Sequence, residues 1–89
     1  GSEMCIRDRY DEIWNLQIEE VACFEAKEKD MRRVIIFGNE KEAKSELYNH
    51  VRNLQIKDGI AYFEARSGEK WVNVMLTKNG ETIMDESLV

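Results

Sequence analysis

The sequence predicts an α+β domain in which one amphipathic helix packs on one face of an antiparallel sheet of about five strands. Three observations support this prediction. Apolar and polar residues alternate along residues 14–26, as in a half-buried strand. Ala43, Leu47, Val51 and Leu54 recur at helical spacing, and Asn79-Gly80 is a strong signal for a tight hairpin turn. The predicted order of elements in this two-layer fold is β-β-α-β-β-β.

The first predicted element is a hairpin. Its first strand covers residues 14–26, where Glu20 interrupts the apolar row and indicates either a bulge or a break between a lead-in segment and the strand proper. Residues 27–30 are polar and predict a turn. Residues 31–37 are rich in β-branched side chains, so we expect them to form the returning strand.

The predicted helix follows Gly38. Asn39 and Glu42 approach the capping-box pattern that satisfies free N–H groups at a helix start, so we expect the helix to begin at Glu40. Asp58-Gly59 predicts its end, because glycine tolerates the left-handed conformation found there. Three strands are expected after it, at residues 60–66, 71–77 and 82–86, and the short connections favour antiparallel pairing.

Length and composition predict a single compact unit. The chain has 89 residues and no proline, and we identify no internal repeat or linker in it. Its longest apolar run covers residues 34–37, whereas a membrane-spanning helix needs roughly 18 apolar residues. No secretory signal is visible, so the expected location is the cytoplasm.

Residues 1–9 are treated separately from the predicted domain at residues 10–89. Gly1-Ser2-Glu3 is typical of a cloning scar, and residues 4–9 (Met-Cys-Ile-Arg-Asp-Arg) resemble the translation of a transposon-end adaptor used in sequencing-library preparation. That resemblance implies a native sequence from Tyr10 onwards and an uncultured microbe or its phage as the source. Residues 1–9 hold equal numbers of acidic and basic residues, so the net charge of −5 belongs to the domain and argues against binding of duplex nucleic acid.

The candidate catalytic groups are few, and the sequence predicts no enzyme, cofactor or metal site. His50 is the only histidine and has no second ligand at a suitable spacing. Cys23 is the only cysteine beyond the adaptor-like residues and is expected to be buried. Glu25 and Glu64 could form a carboxylate pair if their strands were neighbours, but chance proximity is expected among so many acidic residues.

Aromatic and cationic side chains provide the one candidate ligand site. A ring beside a guanidinium suits a nucleotide base and its phosphate. The alternative is that the aromatic residues belong to the core or to an interface, and no glycine-rich phosphate loop is present. The candidate ligand-binding residues are Trp71, Tyr62, Arg66, Lys70, Arg32 and Arg33.

By elimination, the sequence favours a non-catalytic binding module. We expect a phage or mobile-element anti-defence protein that sequesters a nucleotide-type signalling ligand in the host cytosol, at the interface of a homodimer or higher oligomer, because one helix leaves a sheet face uncovered. One alternative is an acidic inhibitor of a host defence protein, and another is a structural subunit of a larger complex. The acidic residues that the first alternative requires are Glu40, Glu42, Glu46, Asp85 and Glu86.

Overall fold

The computed structural model describes residues 10, 12–38 and 41–85, and these residues form an all-β structure. The strands are β1 (Ile13–Ile18), β2 (Ala22–Glu28), β3 (Met31–Gly38), β4 (Lys41–Lys44), β5 (His50–Lys57), β6 (Ile60–Arg66), β7 (Trp71–Leu76) and β8 (Thr82–Asp85). They make two four-stranded antiparallel sheets, in the orders β1-β2-β3-β4 and β5-β6-β7-β8. Each sheet is therefore a meander in which neighbours in sequence are neighbours in space.

Two-residue turns set the register of two of these hairpins. Lys29 and Asp30 join β2 to β3 with φ angles of 54° and 62°. Asp58 and Gly59 join β5 to β6 with φ angles of 54° and 77°. Positive φ at both central residues matches the right-handed twist of the flanking strands, so these turns favour tight antiparallel pairing.

The predicted helix is absent from the described residues, and the α+β prediction is wrong. Most of the segment assigned to the helix forms β4 and β5 instead. The error has a physical cause in β5, where Val51, Leu54 and Ile56 are buried and the residues between them are exposed. A bulge at Asn53-Leu54 inserts one residue between the first two buried positions, so the strand acquires a spacing of three that imitates a helix. Residues 39–40, where the helix cap was expected, lie outside the described residues.

The other strand predictions fare better. Residues 31–37 and 60–66 are strands, as predicted. The strand predicted at 71–77 ends at Leu76, and β8 begins at Thr82, as predicted. The segment 14–26 is two strands rather than one, and Glu20 lies in the turn that separates them. Glu20 therefore marks the division between a lead-in segment and the following strand, which was one of the two interpretations considered.

The two sheets are copies of one repeat, so the conclusion that the chain contains no repeat is also wrong. Asn-Leu-Gln-Ile occurs at residues 15–18 and again at 53–56, and Ala-x-Phe-Glu-Ala occurs at 22–26 and 61–65. The β1–β2 and β5–β6 connections differ in length by one residue, which obscures the repeat in the sequence. Repeats of this length are characteristic of architectures in which each unit buries its apolar face only against a neighbour.

The repeat extends to backbone detail. In the first sheet the register shifts between Trp14 and Gln17, and in the second it shifts between Arg52 and Gln55. Asn15 and Asn53 occupy the same place in these two bulges, with φ angles of 54° and 57°. Asparagine is one of the few residues that tolerate this conformation, so both copies retain it.

The sheets stack face to face and in the same orientation. We call the side of each sheet that carries Phe24 or Phe63 its Phe face, and the side that carries Glu25 or Glu64 its Glu face. The Phe face of the second sheet packs on the Glu face of the first, and the main core lies between them. The residues of this core are Cys23, Val34, Ile36, Ala43, Tyr48, Val51, Leu54, Ile56, Ala61, Phe63, Ala65, Val74 and Leu76.

A smaller cluster lies on the Phe face of the first sheet. Phe24 and Ile35 are fully buried there, and Tyr10 packs edge-on against Phe24 with ring centroids 5.7 Å apart. Tyr48 packs on Phe63 in the same way, at 6.1 Å. Each repeat therefore places a tyrosine ahead of its first strand to cover the central phenylalanine.

Candidate functional site

The candidate site residues of the second sheet lie on or beside its Glu face. Trp71 is directly opposite Arg66 in the β6–β7 register, and the guanidinium carbon of Arg66 is 5.4 Å from the centroid of the indole ring. Lys70 immediately precedes Trp71. Tyr62 lies on the same face but four residues before Arg66 along β6, roughly 13 Å away at strand spacing. The structure therefore brings Arg66, Lys70 and Trp71 together and places Tyr62 at the other end of the face.

The two candidate arginines of the first sheet lie away from this group. Arg32 lies over the ring of Trp14, 4.5 Å from its centroid, and its Nη1 is 4.0 Å from Glu25 Oε1. Arg33 is on the opposite face of the sheet and forms an ion pair with Glu28 at 2.9 Å. The six candidate residues thus do not share one site within the chain.

Arg52 makes the shorter of the two cationic contacts with Trp71, and it was not among the candidate residues predicted from the sequence. Its guanidinium carbon is 3.7 Å from the indole centroid. Glu64 Oε1 accepts from Arg52 Nε at 2.9 Å, and Glu64 Oε2 accepts from Asn53 Nδ2 at 2.7 Å. The hydrogen bonds from Asn53 and Arg52 lower the pKa of Glu64 below its usual value. The charged carboxylate thereby holds Arg52 over the indole.

The first sheet contains the same arrangement with tryptophan and arginine exchanged. Trp14 stands where Arg52 stands in the second repeat, and Arg32 stands where Trp71 stands. Asn15 Nδ2 donates to Glu25 Oε2 at 2.5 Å, as Asn53 does to Glu64. Each sheet therefore joins its first and third strands through an arginine–tryptophan contact anchored on a central glutamate. Aligning the two Asn-Leu-Gln-Ile segments pairs Arg52 with Trp14 in the sequence, but the contact of Arg52 with Trp71 is visible only in the structure.

A cavity of about 320 Å³ adjoins Trp71 at the end of the sheet where β7 begins. This volume lies at the lower end of the range for small-molecule sites, about 300–1,000 Å³. Aromatic, hydroxyl-bearing and cationic side chains all line it. Its lining residues are Tyr48, Ser67, Lys70, Trp71, Val72 and Met84.

Two polar groups at this end of the sheet are buried without a hydrogen-bond partner among the described residues. They are the hydroxyl of Tyr48 and Nε of Arg66. Burial, with a smaller effect of Glu46, raises the pKa of Tyr48, so its hydroxyl stays protonated and able to donate. Because an unpaired buried donor is costly, each such group is a natural partner for a ligand atom or an ordered water.

The equivalent end of the first sheet has its own cavity, but charged side chains line it. This cavity measures about 540 Å³ and is bordered by Tyr10, Glu12, Lys27, Glu28, Lys29, Asp30, Glu42 and Lys44. Here the hydroxyl of Tyr10 donates to Glu42, and Glu42 also pairs with Lys44 at 3.6 Å. The tyrosine in the first repeat therefore already has its acceptor, whereas Tyr48 in the second repeat has none in the described part of the chain.

The two carboxylates considered as a pair in the sequence lie in different sheets, and the thiol is buried. Glu25 and Glu64 belong to different sheets, and each accepts a hydrogen bond from the bulge asparagine of its own sheet. Cys23 is fully buried, as predicted, and burial together with Glu25 raises the pKa of its thiol to about 12. Within residues 10, 12–38 and 41–85, no three His, Cys, Asp or Glu side chains are grouped to hold a metal ion.

Among the described residues, the acidic side chains required for a protein-blocking inhibitor do not lie on a helix. Glu42 lies in β4 and Glu46 follows that strand as an exposed residue. Glu40 and Glu86 lie outside the described residues, as does the side chain of Asp85. That alternative stays a prediction, because three of its five acidic side chains lie outside the described residues.

The described ranges contain no helix that is long and apolar enough to cross a membrane. Comparison of the chain with protein-family models, with curated proteins and with solved structures gives no match.

Proposed function

We propose that the chain is a non-catalytic binding module that takes a nucleotide-type ligand, a planar ring bearing an anionic group, in the cavity beside Trp71. The observation that carries the proposal is that Tyr48, whose buried hydroxyl has no partner among the described residues, lines one cavity together with Trp71 and Lys70. Such a combination of an aromatic surface with a few convergent polar groups is typical of small-molecule sites.

Each side chain has a distinct role in this proposal. The indole of Trp71 contacts the ring of the ligand, while Arg52 on its face keeps the indole in place. Lys70 and Arg66 supply positive charge for phosphate, and a charge-assisted hydrogen bond from either is worth about 1.5–3 kcal/mol. The hydroxyls of Tyr48 and Ser67 bond polar atoms of the ligand.

Binding without turnover would serve sequestration. A ligand that the site holds but does not transform is removed from solution in proportion to the protein present, and this effect is what an anti-defence protein directed at a signalling nucleotide requires. Tyr62, Arg32 and Arg33 have no role in this site, because they lie elsewhere on the two sheets.

Thermal unfolding with added ligand tests the proposal. Mononucleotides, cyclic mononucleotides and dinucleotides, and pyrophosphate alone are titrated, and a bound ligand raises Tm with concentration because it binds only the folded state. In a Trp14→Phe background the fluorescence of Trp71 reports binding directly. Lys70→Ala is expected to weaken affinity about tenfold or more, with Lys41→Ala, another exposed lysine, as the matched control.

Tyr48→Phe separates a ligand role from a structural one. Its hydroxyl bonds no described residue, so its removal is expected to leave the unfolding free energy unchanged or slightly higher. Ligand affinity is expected to fall in the same variant. The proposal is abandoned if no compound of the panel shifts Tm, or if Tyr48→Phe and Lys70→Ala bind as tightly as the parent chain.

A further inference from the structure

The Glu face of the second sheet is exposed and partly apolar. Tyr62 is 37% exposed and Ile83 is 51% exposed, and Met75 lies between them in register. With Gln55, these side chains border a groove of about 420 Å³. The described residues form only two sheets, so no third sheet covers this face.

The first repeat shows how the same positions behave when another sheet covers the Glu face. The three positions that correspond to Tyr62, Met75 and Ile83 in the first sheet are all buried in the core between the sheets. They are Cys23, Ile36 and Ala43. Within the chain, therefore, the Glu face of one repeat is the surface on which the Phe face of the next repeat packs.

The opposite half of the same contact is exposed at its edge. Leu16 and Ile18 lie at one margin of the Phe face of the first sheet. Ile18 is 61% exposed, whereas Ile56, its equivalent in the second repeat, is only 7% exposed because the first sheet covers it. The centre of that face is already buried in a single chain, so its margin is the part that a second molecule can reach.

Gln17 links the two sheets through two side-chain hydrogen bonds to the backbone of β5. Gln17 Nε2 donates to the carbonyl oxygen of Leu54 at 2.9 Å, and its Oε1 accepts from the N–H of Ile56 at 3.3 Å. Gln55 occupies the position of Gln17 in the second repeat and is exposed on the outer face. The backbone groups that would match it belong to the equivalent bulge of a first sheet, at Leu16 and Ile18.

We propose that the Glu face of the second sheet docks on the Phe-face margin of the first sheet in another copy of this chain, repeating the internal contact between repeats. Tyr62, Met75 and Ile83 then bury their apolar surface, and Gln55 bonds the backbone at Leu16 and Ile18 of the second copy. Because the two surfaces differ, the association is head to tail, and it forms a ring where the rotation from one copy to the next closes. Closed rings of four-stranded sheets contain about four to eight sheets, so two sheets per chain predict roughly two to four copies.

Sedimentation velocity of the full chain over a range of concentrations tests this assembly. We expect a discrete species of roughly two to four copies, and a chain that remains monomeric at high concentration overturns the proposal. Ile83→Lys and Ile18→Lys each damage one of the two surfaces at an exposed position. Both variants are expected to fold, as judged by circular dichroism, and to lose the assembly.

Mixing the two variants distinguishes this geometry from a symmetric dimer. Ile83→Lys retains the first-sheet margin and Ile18→Lys retains the second-sheet face, so the mixture has one intact contact and forms a one-to-one complex that cannot grow. If two second-sheet faces met each other instead, Ile18→Lys would remain associated and the mixture would form no new complex, which contradicts the proposal. Asn49→Lys, at an exposed bend residue, is the matched control and is expected to assemble as the parent chain does.

Discussion

The two bulge asparagines make the same hydrogen bond in different surroundings. Asn15 donates to Glu25, which is 2% exposed, whereas Asn53 donates to Glu64 on the outer face. Both asparagines have positive φ, so replacement by glycine removes the side chain without backbone strain.

We expect Asn15→Gly to lower the unfolding free energy by about 1–3 kcal/mol, because it removes a donor from a buried carboxylate. Asn53→Gly is expected to cost less, since Glu64 keeps its bonds to Arg52 and remains close to water. Urea denaturation of the two variants provides the comparison. Equal losses would show that the burial of Glu25 does not set the strength of this bond.

The thiol of Cys23 provides a second test at the residue scale. Burial raises its pKa to about 12, so the folded chain keeps the neutral form at pH values where the unfolded chain, with an ordinary thiol pKa of about 8.5, loses the proton. The contribution of the buried Cys23 thiol to the unfolding free energy is therefore fully present below about pH 8.5 and declines as pH rises towards 12.

The measurement is the unfolding free energy as a function of pH for a Cys5→Ser chain with and without Cys23→Ala. We expect the difference between the two curves to shrink above about pH 8.5. In the same background a thiol reagent at about pH 8 is expected to react only as fast as the fold opens. Rapid labelling of the native chain would contradict the buried position of Cys23.

At the scale of the strands, β5 shows why a short sequence pattern can be ambiguous. Strands without an irregularity, such as β3 and β6, were predictable from β-branched and alternating residues. In β5 the bulge at Asn53-Leu54 gives buried residues a helical spacing, and only pairing with β6 distinguishes the two structures. The contact that decides between them is thus not local in the sequence.

The candidate site was predictable to a similar extent. Trp71, Lys70 and Arg66 are adjacent across one turn, so sequence proximity sufficed to group them. Arg52 and Tyr48 reach the same place from β5 and from the segment before it, and they required knowledge of the strand pairing or of the repeat. Arg32 and Arg33 were both predicted to bind the ligand because they are adjacent in the sequence. Consecutive residues of a strand point to opposite faces, so the two side chains cannot serve one site.

Ile18 and Ile56 occupy the same position in β1 and β5, and they form a matched pair. Ile56→Ala is expected to lower the unfolding free energy by about 2–4 kcal/mol, because Ile56 is buried between the sheets. Ile18→Ala is expected to cost under about 1 kcal/mol in a dilute, dissociated sample, because Ile18 is exposed. Chemical denaturation of both variants at low protein concentration makes the comparison, and similar losses would contradict the stacking order of the sheets.

At the scale of the whole molecule, the stacking of two repeats produces one internal interface, between the Glu face of the first sheet and the Phe face of the second. The other Phe face and the other Glu face then lie at opposite ends of the stack. In repeat architectures, stability is approximately the sum of the repeats and of the contacts between neighbours. A chain of two repeats has a single such contact, so each of its bonds affects the entire fold. If the same contact forms between chains, its residues affect association instead of folding. Experiments can therefore distinguish the effects of equivalent residues in the two repeats.

Gln17 and Gln55 are the clearest such pair. Gln17→Ala leaves the carbonyl of Leu54 and the N–H of Ile56 without their side-chain partner, and we expect a loss of about 1–3 kcal/mol in unfolding free energy that does not depend on protein concentration. Gln55→Ala removes no internal contact of this kind. Its effect is expected to appear only as weaker association, because Tm of an assembled chain rises with protein concentration and that of a dissociated chain does not.

Thermal unfolding of both variants across a concentration series distinguishes the two effects. The Gln17→Ala curves should be displaced to lower temperature at every concentration, whereas the Gln55→Ala curves should converge on those of the parent chain at low concentration and fall below them at high concentration. If Gln55→Ala is destabilised equally at all concentrations, Gln55 has an intrachain role and the contact between copies does not repeat the contact between sheets.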